Sequence, residues 1–267
     1  MKEHRVMIDP GIEIRPTQHP LGFEFGAGVF APEKIEYRTL DAIRQSLGDP
    51  GCTGPDPVYA IAMDTGKRDH LPLLQARNLL FGVVTYAAGQ LGDEPVRSQG
   101  HVHKKVRGNK MSPPEVYEIW TGRAIIYMQE RVEDDPGRCF AVEAAPGDIV
   151  VVPPDWAHAA ISTDAHEGLT FGAWCEREYG FEYDALRAHG GLAWHPVIDR
   201  ATGRIGWNAN SRYAPSTLIE KHPASYAGTL GIERGCAIYT QFERNPDAFV
   251  FVPSPHLNAG VWTQFIP

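Results

Sequence analysis

Long apolar runs and paired cysteines are both scarce in this sequence of 267 residues. No run approaches the roughly 18 apolar residues that a membrane-spanning helix needs, and the first residues lead into no signal-peptide core. The 4 cysteines are widely separated and form no Cys-x-x-Cys pair, which argues against a cysteine zinc or redox motif and favours reduced, buried thiols. We therefore expect a cytoplasmic protein that has no membrane partner.

Basic stretches are lacking as well. The chain has 25 Lys and Arg against 33 Asp and Glu, which gives a net charge of −8, and no basic stripe runs through it. Surfaces that bind nucleic acid are usually basic, so we expect no nucleic-acid partner. A hydrophobic content of 43% with 22% charged residues is typical of a globular protein, and the length suits one domain with extensions.

Strand patterns dominate what is present. Short β-type runs separated by turn residues predict a sandwich or barrel, and no helix-strand alternation competes with this. The densest set of predicted strands covers 79–87, 96–103, 114–120, 124–130, 139–143, 149–152, 159–162 and 169–174. A further strand is predicted at 58–63, helices at 39–47 and 183–188, a hairpin around 198–205, and three tail strands at 237–242, 248–252 and 260–265.

Histidines and a carboxylate recur at two places in this pattern. His101 and His103 lie one residue apart on a predicted strand, so their side chains share a face. Glu115 shares a strand face with Tyr117, and His158 follows the buried run 149–152 and a turn. Three imidazoles and one carboxylate suit Fe²⁺, Mn²⁺, Ni²⁺ or Zn²⁺ and leave the choice among them open. Glu118, on the opposite face, would replace Glu115 only if a bulge shifted the pleat.

These spacings resemble the two sequence motifs of the cupin superfamily, whose members form a small double-stranded β-helix barrel. More narrowly, they resemble the cupin-type phosphoglucose isomerases first known from archaea. The segments that carry the narrower resemblance are 98–105, 115–117, 151–158, 182–183 and 207–213. Two features depart from that family: the loop 104–114 is longer, and the residues after 213 have no counterpart.

The resemblance implies a jelly-roll-like cupin domain at about 35–213, preceded by an N-terminal arm at 1–34. The remaining residues, 214–267, would then form an extension that packs on the barrel or on a partner subunit. It also implies one divalent transition metal per chain, held by His101, His103, Glu115 and His158. By analogy with other cupins we expect a homodimer.

Further site residues follow from the same resemblance. Ser98 and Gly100 flank the first ligand pair and could offer a hydroxyl and a backbone amide to a phosphate. Tyr117 is expected beside Glu115 on the pocket wall, and Tyr183 is expected near the substrate. Outside the pocket, the loop has cationic side chains that could attract a sugar phosphate, namely Lys104, Lys105, Arg107 and Lys110.

The chemistry implied is the interconversion of glucose 6-phosphate and fructose 6-phosphate. Glu115 could be both a metal ligand and the base that moves a proton between C1 and C2, with Tyr117 and Tyr183 as further catalytic candidates. Proton transfer and hydride shift both stay open. So do three other functions: another cupin sugar isomerase or epimerase, an Fe²⁺ dioxygenase, and a sensor that binds metal and sugar without turnover.

Overall fold

Short strands outnumber helices in the computed structural model, which describes residues 7–106, 108 and 110–267. In chain order the strands are β1 (Ile14–Gln18), β2 (Leu21–Phe25), β3 (Val29–Phe30), β4 (Glu36–Arg38), β5 (Tyr59–Lys67), β6 (Leu79–Tyr86), β7 (Gln90–Leu91), β8 (Glu94–Pro95), β9 (Val102–His103), β10 (Glu115–Thr121), β11 (Ala124–Gln129), β12 (Cys139–Ala144), β13 (Ile149–Val152), β14 (Ala157–Ser162), β15 (Leu169–Glu176), β16 (Phe181–Glu182), β17 (Trp194–Ile198), β18 (Ile205–Ala209) and β19 (Leu218–Lys221). The helices are α1 (Leu40–Ile43), α2 (Leu71–Ala76), α3 (Asp184–Ala188), α4 (Ala227–Leu230), α5 (Ile238–Arg244) and α6 (Ala259–Thr263). Turns of 3₁₀ helix cover Arg44–Ser46, Arg68–His70 and Pro255–Asn258.

Two sheets form the body of the protein. The larger has seven strands, hydrogen-bonded in the order β13, β10, β15, β6, β5 and β3, and β4 also pairs with β5. The smaller has four strands in the order β14, β11, β12 and β19. Tyr117 and Phe171 of the larger sheet share one buried cluster with Ile126 and Phe140 of the smaller sheet. The predicted all-β, jelly-roll-like cupin fold is therefore confirmed.

The outer face of the larger sheet is covered as fully as its inner face. Along β10, Tyr117 and Ile119 belong to the inner cluster, whereas Val116 and Trp120 belong to a second cluster on the other side of the sheet. All residues of β10 are consequently buried. Strands covered on both faces lose the alternation of polar and apolar residues that marks a half-exposed sheet.

Strand β9 is shorter than the sequence predicts. The predicted strand 96–103 is wrong over most of its length, because only Val102–His103 form a strand. The rest of the segment makes isolated bridges, between Arg97 and Ile161 and between His101 and His158. Gly100 has φ +85, a left-handed conformation that suits glycine and interrupts a regular ladder. The shared direction of His101 and His103 survives this interruption, as the site geometry shows.

The tail differs more strongly from its prediction. The three predicted tail strands are wrong: Ile238–Arg244 and Ala259–Thr263 are helices, and residues 248–252 form turns. In α5 the buried residues Ile238, Tyr239 and Phe242 have the spacing of one helix face. Aromatic and β-branched side chains in this segment led to the prediction of a strand, but the segment is a helix that packs on the sheet.

Both ends of the chain join the sheets. Near the N-terminus, β1 and β2 form a hairpin, and β3 and β4 pair with β5 of the larger sheet. Near the C-terminus, β19 pairs in parallel with β12 of the smaller sheet. The predicted hairpin around 198–205 is confirmed as β17 and β18. None of the helices in the described part of the chain is long and apolar enough to cross a membrane.

Candidate metal centre

Four side chains converge between the two sheets, and they are the four that the motifs predict. His101, His103, Glu115 and His158 each offer one donor atom, and these atoms lie within 4.8 Å of one another. Glu115 begins β10, while His158 lies on β14 and bridges to His101 through paired backbone hydrogen bonds of 3.1 and 3.0 Å. The site therefore joins the two sheets.

Backbone carbonyls fix two of the imidazoles. The Nδ1 of His103 donates to the Pro113 carbonyl at 3.0 Å, and the Nδ1 of His158 donates to the Trp156 carbonyl at 3.1 Å. In a neutral imidazole the other nitrogen is then a lone-pair donor. Such hydrogen bonds are the usual way in which a protein orients metal-binding histidines.

The free nitrogens face the same carboxylate oxygen. Oε2 of Glu115 lies 3.2 Å from Nε2 of His103 and 3.1 Å from Nε2 of His158. Nε2 of His101 is buried, and within the described residues it has no hydrogen-bond partner. Lone pairs that converge in a buried space repel one another unless a proton or a cation lies between them. The residues present thus fit a divalent cation, and the set forms one candidate metal site.

Charge at the site follows from these contacts. Burial alone would raise the pKa of Glu115, but the nearby imidazoles of His103 and His158 outweigh it and hold that pKa well below its usual range. Burial likewise would lower the pKa of His103, yet Glu115 raises it overall. For His101 and His158 burial prevails and lowers the pKa. The site therefore contains an ionised carboxylate and neutral imidazoles at His101 and His158.

Two further groups hold the Glu115 carboxylate. The Tyr117 hydroxyl donates to Oε2 at 2.6 Å, and the Cys175 thiol donates to Oε1 at 3.2 Å. Burial is the main reason why the pKa of Tyr117 lies well above its ordinary value, so the phenol keeps its proton. Both carboxylate oxygens are thus oriented by neutral donors.

A cavity opens beside this cluster. Its volume is about 60 Å³. The residues that line it are Arg38, Tyr59, Ile61, Met63, Val84, Tyr86, Ser98, Gln99, His101, Glu115, Tyr117, Ala160, Phe171, Phe181 and Tyr183. Aromatic walls with a few polar groups are typical of a small-molecule site.

The predicted substrate residues fall into two groups. Ser98, Tyr117 and Tyr183 line the cavity, and the Tyr183 ring lies 6.2 Å from the His101 ring. Gly100 is not among the lining residues, and a Cβ there would meet Leu192 at 2.8 Å. Lys105 is 59% exposed, pairs with Asp155 at 3.6 Å and is not among the lining residues.

The loop that contains Lys105 is tied to the turn before His158. The Ser112 amide donates to the Asp155 carboxylate at 3.0 Å, and the Asp155 amide donates to the Ser112 hydroxyl at 2.7 Å. Arg107, another of the predicted loop cations, lies outside the described residues. Ser112 of this loop therefore contacts the turn of the second motif.

Glu118, the rival carboxylate, lies on the other side of β10. It accepts hydrogen bonds from the Trp120 indole at 3.1 Å and from the Ile238 amide at 3.2 Å. No bulge occurs between Glu115 and Glu118, whose pairing with β13 is regular. Glu118 is therefore not part of the cluster.

Sequence reasoning missed several lining residues. Arg38, Tyr59 and Tyr86 lie on β4, β5 and β6, which pair with one another. No motif marks them, because strand tyrosines usually fill cores. Only the alternation of Glu36 and Arg38 around Tyr37 indicates that the two charged side chains share a face.

Comparison with known proteins agrees with the residues at the site. The family model of glucose-6-phosphate isomerase (GPI) matches residues 45–216, more than half of the chain. A putative glucose-6-phosphate isomerase 1 of Rhizobium meliloti is 28% identical over 49% of this chain, and the match spans 55% of that relative's length.

Longer matches link the chain to other bacterial and archaeal proteins. The glucose-6-phosphate isomerase of Sinorhizobium medicae is 24% identical over 78% of this chain and 82% of its own length. That of Thermococcus litoralis is 29% identical over 58% of this chain and 70% of its own. Among solved structures, a recombinant oxalate oxidase in complex with glycolate gives a TM-score of 0.36 at 12% identity, covering 47% of this chain and 54% of that one, too distant a likeness for inference. By the family match, this chain belongs to the glucose-6-phosphate isomerase family, in its cupin type.

Proposed function

We propose that this protein is a metal-dependent glucose-6-phosphate isomerase that interconverts glucose 6-phosphate and fructose 6-phosphate. The carrying observation is that four donor side chains, those of His101, His103, Glu115 and His158, meet within 4.8 Å beside the aromatic cavity. These residues would hold one divalent transition metal. Glycolysis and gluconeogenesis are the corresponding metabolic context. The cytoplasmic location and the homodimer stay predictions.

The reaction moves hydrogen between C1 and C2 of the open-chain sugar. When bound, a divalent cation supplies Lewis acidity that polarises the sugar carbonyl. Glu115 is the only carboxylate among the described lining residues of the cavity, and an ionised carboxylate can accept a proton. We assign to Glu115 the transfer of that proton between the two carbons.

Tyr117 has a positioning role in this scheme. Its hydroxyl donates to Oε2 of Glu115 at 2.6 Å, while the thiol of Cys175 donates to Oε1. A carboxylate can take a proton from a sugar carbon only when its accepting oxygen points towards that carbon. The two donors fix the rotation of the carboxylate about its last bond. The apolar walls at Ile61, Phe171 and Phe181 keep bulk water away from the reacting carbons.

The direct test is an anaerobic assay on purified protein. Metal-loaded protein is incubated with fructose 6-phosphate with and without EDTA, and glucose 6-phosphate is measured. We expect reversible conversion without O₂ that EDTA abolishes and added metal restores. Conversion that persists in metal-free protein would contradict the metal dependence. Turnover of another sugar, or O₂ consumption without isomerisation, would contradict the assigned reaction while the metal site remained.

A further inference from the structure

The cavity wall includes an arginine from outside the part of the chain that the family model matches. Arg38 lies at the end of β4, before residue 45 where the family match begins. Among the described residues that line the cavity, it is the one Lys or Arg. Its position therefore matters for any anion that enters.

The surroundings of Arg38 hold it at the cavity wall. Its side chain is 24% exposed, and Nη2 donates to the Glu36 carboxylate at 3.0 Å. Its backbone pairs with Tyr59 of β5, which keeps the strand against the sheet. The guanidinium also interacts with the Tyr183 hydroxyl and opposes the rise in the pKa of Tyr183 that burial causes.

Arg38 lines the same cavity as His101 and Glu115. Tyr183 lies between Arg38 and His101, since its ring is 6.2 Å from His101 and its hydroxyl interacts with Arg38. A ligand with its carbonyl at the metal ligands would thus place its far end near the guanidinium.

Arginine is well suited to that end of the ligand. Its planar fork binds two oxygens of a phosphate at once, with short charge-assisted hydrogen bonds. Partial burial strengthens the attraction because few water molecules screen it. Lys105 has neither advantage, since it is exposed and already paired with Asp155.

We propose that Arg38 binds the phosphate group of the sugar substrate and so selects phosphorylated over unphosphorylated sugars. Glu36 holds the guanidinium from the solvent side and competes with the phosphate for it. This inference rests on the proposed function, because the phosphate belongs to the substrate assigned there.

The test compares charge-matched variants on two ligands. Metal-loaded wild type, Arg38→Gln, Arg38→Lys, Lys105→Gln and Arg200→Gln are assayed for isomerisation, and binding of fructose 6-phosphate and of fructose is measured by calorimetry. Arg200 is a control because it is 84% exposed and pairs with Asp93 on the surface. Arg38→Gln should raise KM and Kd for fructose 6-phosphate by about tenfold or more. Binding of fructose should be unchanged, Arg38→Lys should be intermediate, and Arg200→Gln should match wild type.

A second variant works in the opposite direction and does not depend on the folding of Arg38→Gln. Glu36→Gln removes the competitor and should lower KM for fructose 6-phosphate severalfold. Equal KM in wild type and Arg38→Gln, an equal loss for fructose, or a loss in Lys105→Gln alone would overturn the inference. Wild type that binds fructose 6-phosphate without isomerising it would overturn the proposed function instead, and the binding data would still decide the role of Arg38.

Discussion

One strand presents two carboxylates to opposite faces of the same sheet. Glu115 faces the candidate metal site and the cavity, whereas Glu118 faces the helices of the tail. Both are almost fully buried, at 7% and 1% exposure. Nevertheless the pKa of Glu115 lies well below its ordinary value, and burial raises the pKa of Glu118 to about 7.

The partners of each carboxylate account for the difference. Glu115 meets two imidazoles, which stabilise its charge. Glu118 meets two neutral donors, the Trp120 indole and the Ile238 amide, which only partly offset desolvation. Chemistry is therefore concentrated on the inner face of the larger sheet, and the outer face contributes to stability through the tail.

Removing a ligand should produce the largest effect. We expect His103→Ala to reduce bound metal to about a tenth or less of wild type, with isomerisation lost in parallel, because three donors remain. Metal content is measured by elemental analysis of folded protein. His189→Ala is the matched control, since His189 stacks on Tyr213 away from the site. Full metal occupancy in His103→Ala would show that the site is misassigned.

A substitution of Glu115 should separate metal binding from catalysis. Glu115→Gln retains an oxygen for the metal but loses the proton acceptor, so we expect kcat to fall by about 10²- to 10⁴-fold. Metal content should fall far less. The measurement is kcat per bound metal. A fall in kcat that merely follows the loss of metal would argue against Glu115 as the base.

Substitutions on the outer face of the larger sheet should lower the stability of the protein rather than its activity. Phe242 is fully buried and its ring lies 4.9 Å from Trp174. Phe242→Ala should lower the free energy of unfolding by about 3 to 5 kcal/mol, measured by urea denaturation. Leu257→Ala, at a side chain 61% exposed, should cost little. The kcat of the folded variant should equal that of wild type, and a selective loss of kcat would break the division between the faces.

The smallest expected effect is a pH dependence at Glu118. Its pKa of about 7 in the folded protein exceeds the ordinary 4.5, so the folded state binds more protons between these values. Stability should therefore fall as pH rises from 4.5 to 7, by about 3 kcal/mol at most. Unfolding at several pH values should show this slope in wild type and a smaller slope in Glu118→Gln, where Glu176, whose pKa burial also raises to about 7, still contributes. The exposed Glu143→Gln is the control, and an unchanged slope in Glu118→Gln would contradict the assignment.

The part of the site that the sequence predicts consists of local patterns. Strand alternation places His101 beside His103 and Glu115 beside Tyr117 without any knowledge of the tertiary structure. His158 joins them through a β-bridge to His101. In the sequence, only the resemblance of the second motif to the cupin pattern indicates that His158 belongs with the other three. One long-range contact between the sheets therefore completes the set of four residues, and local patterns do not predict that contact.

Features that depend on tertiary contacts were not predictable. Arg38 reaches the cavity because β4 pairs with β5, and no local pattern records that pairing. Phe249 and Phe251 suggested a strand by their alternation, yet both are buried in turns against the outer face of the sheet. Apolar side chains can cover the outer face of a sheet from a helix or a turn as well as from a strand, so burial there does not determine the backbone conformation.

Graded metal loading tests the central claim most directly. Metal-free protein is titrated anaerobically with Mn²⁺ or Fe²⁺, and the rate of fructose 6-phosphate isomerisation is measured against bound metal per chain. The four-residue site predicts a rate that rises linearly and stops at one metal per chain. A full rate before any metal is bound, or no rate at one bound metal per chain, would contradict it.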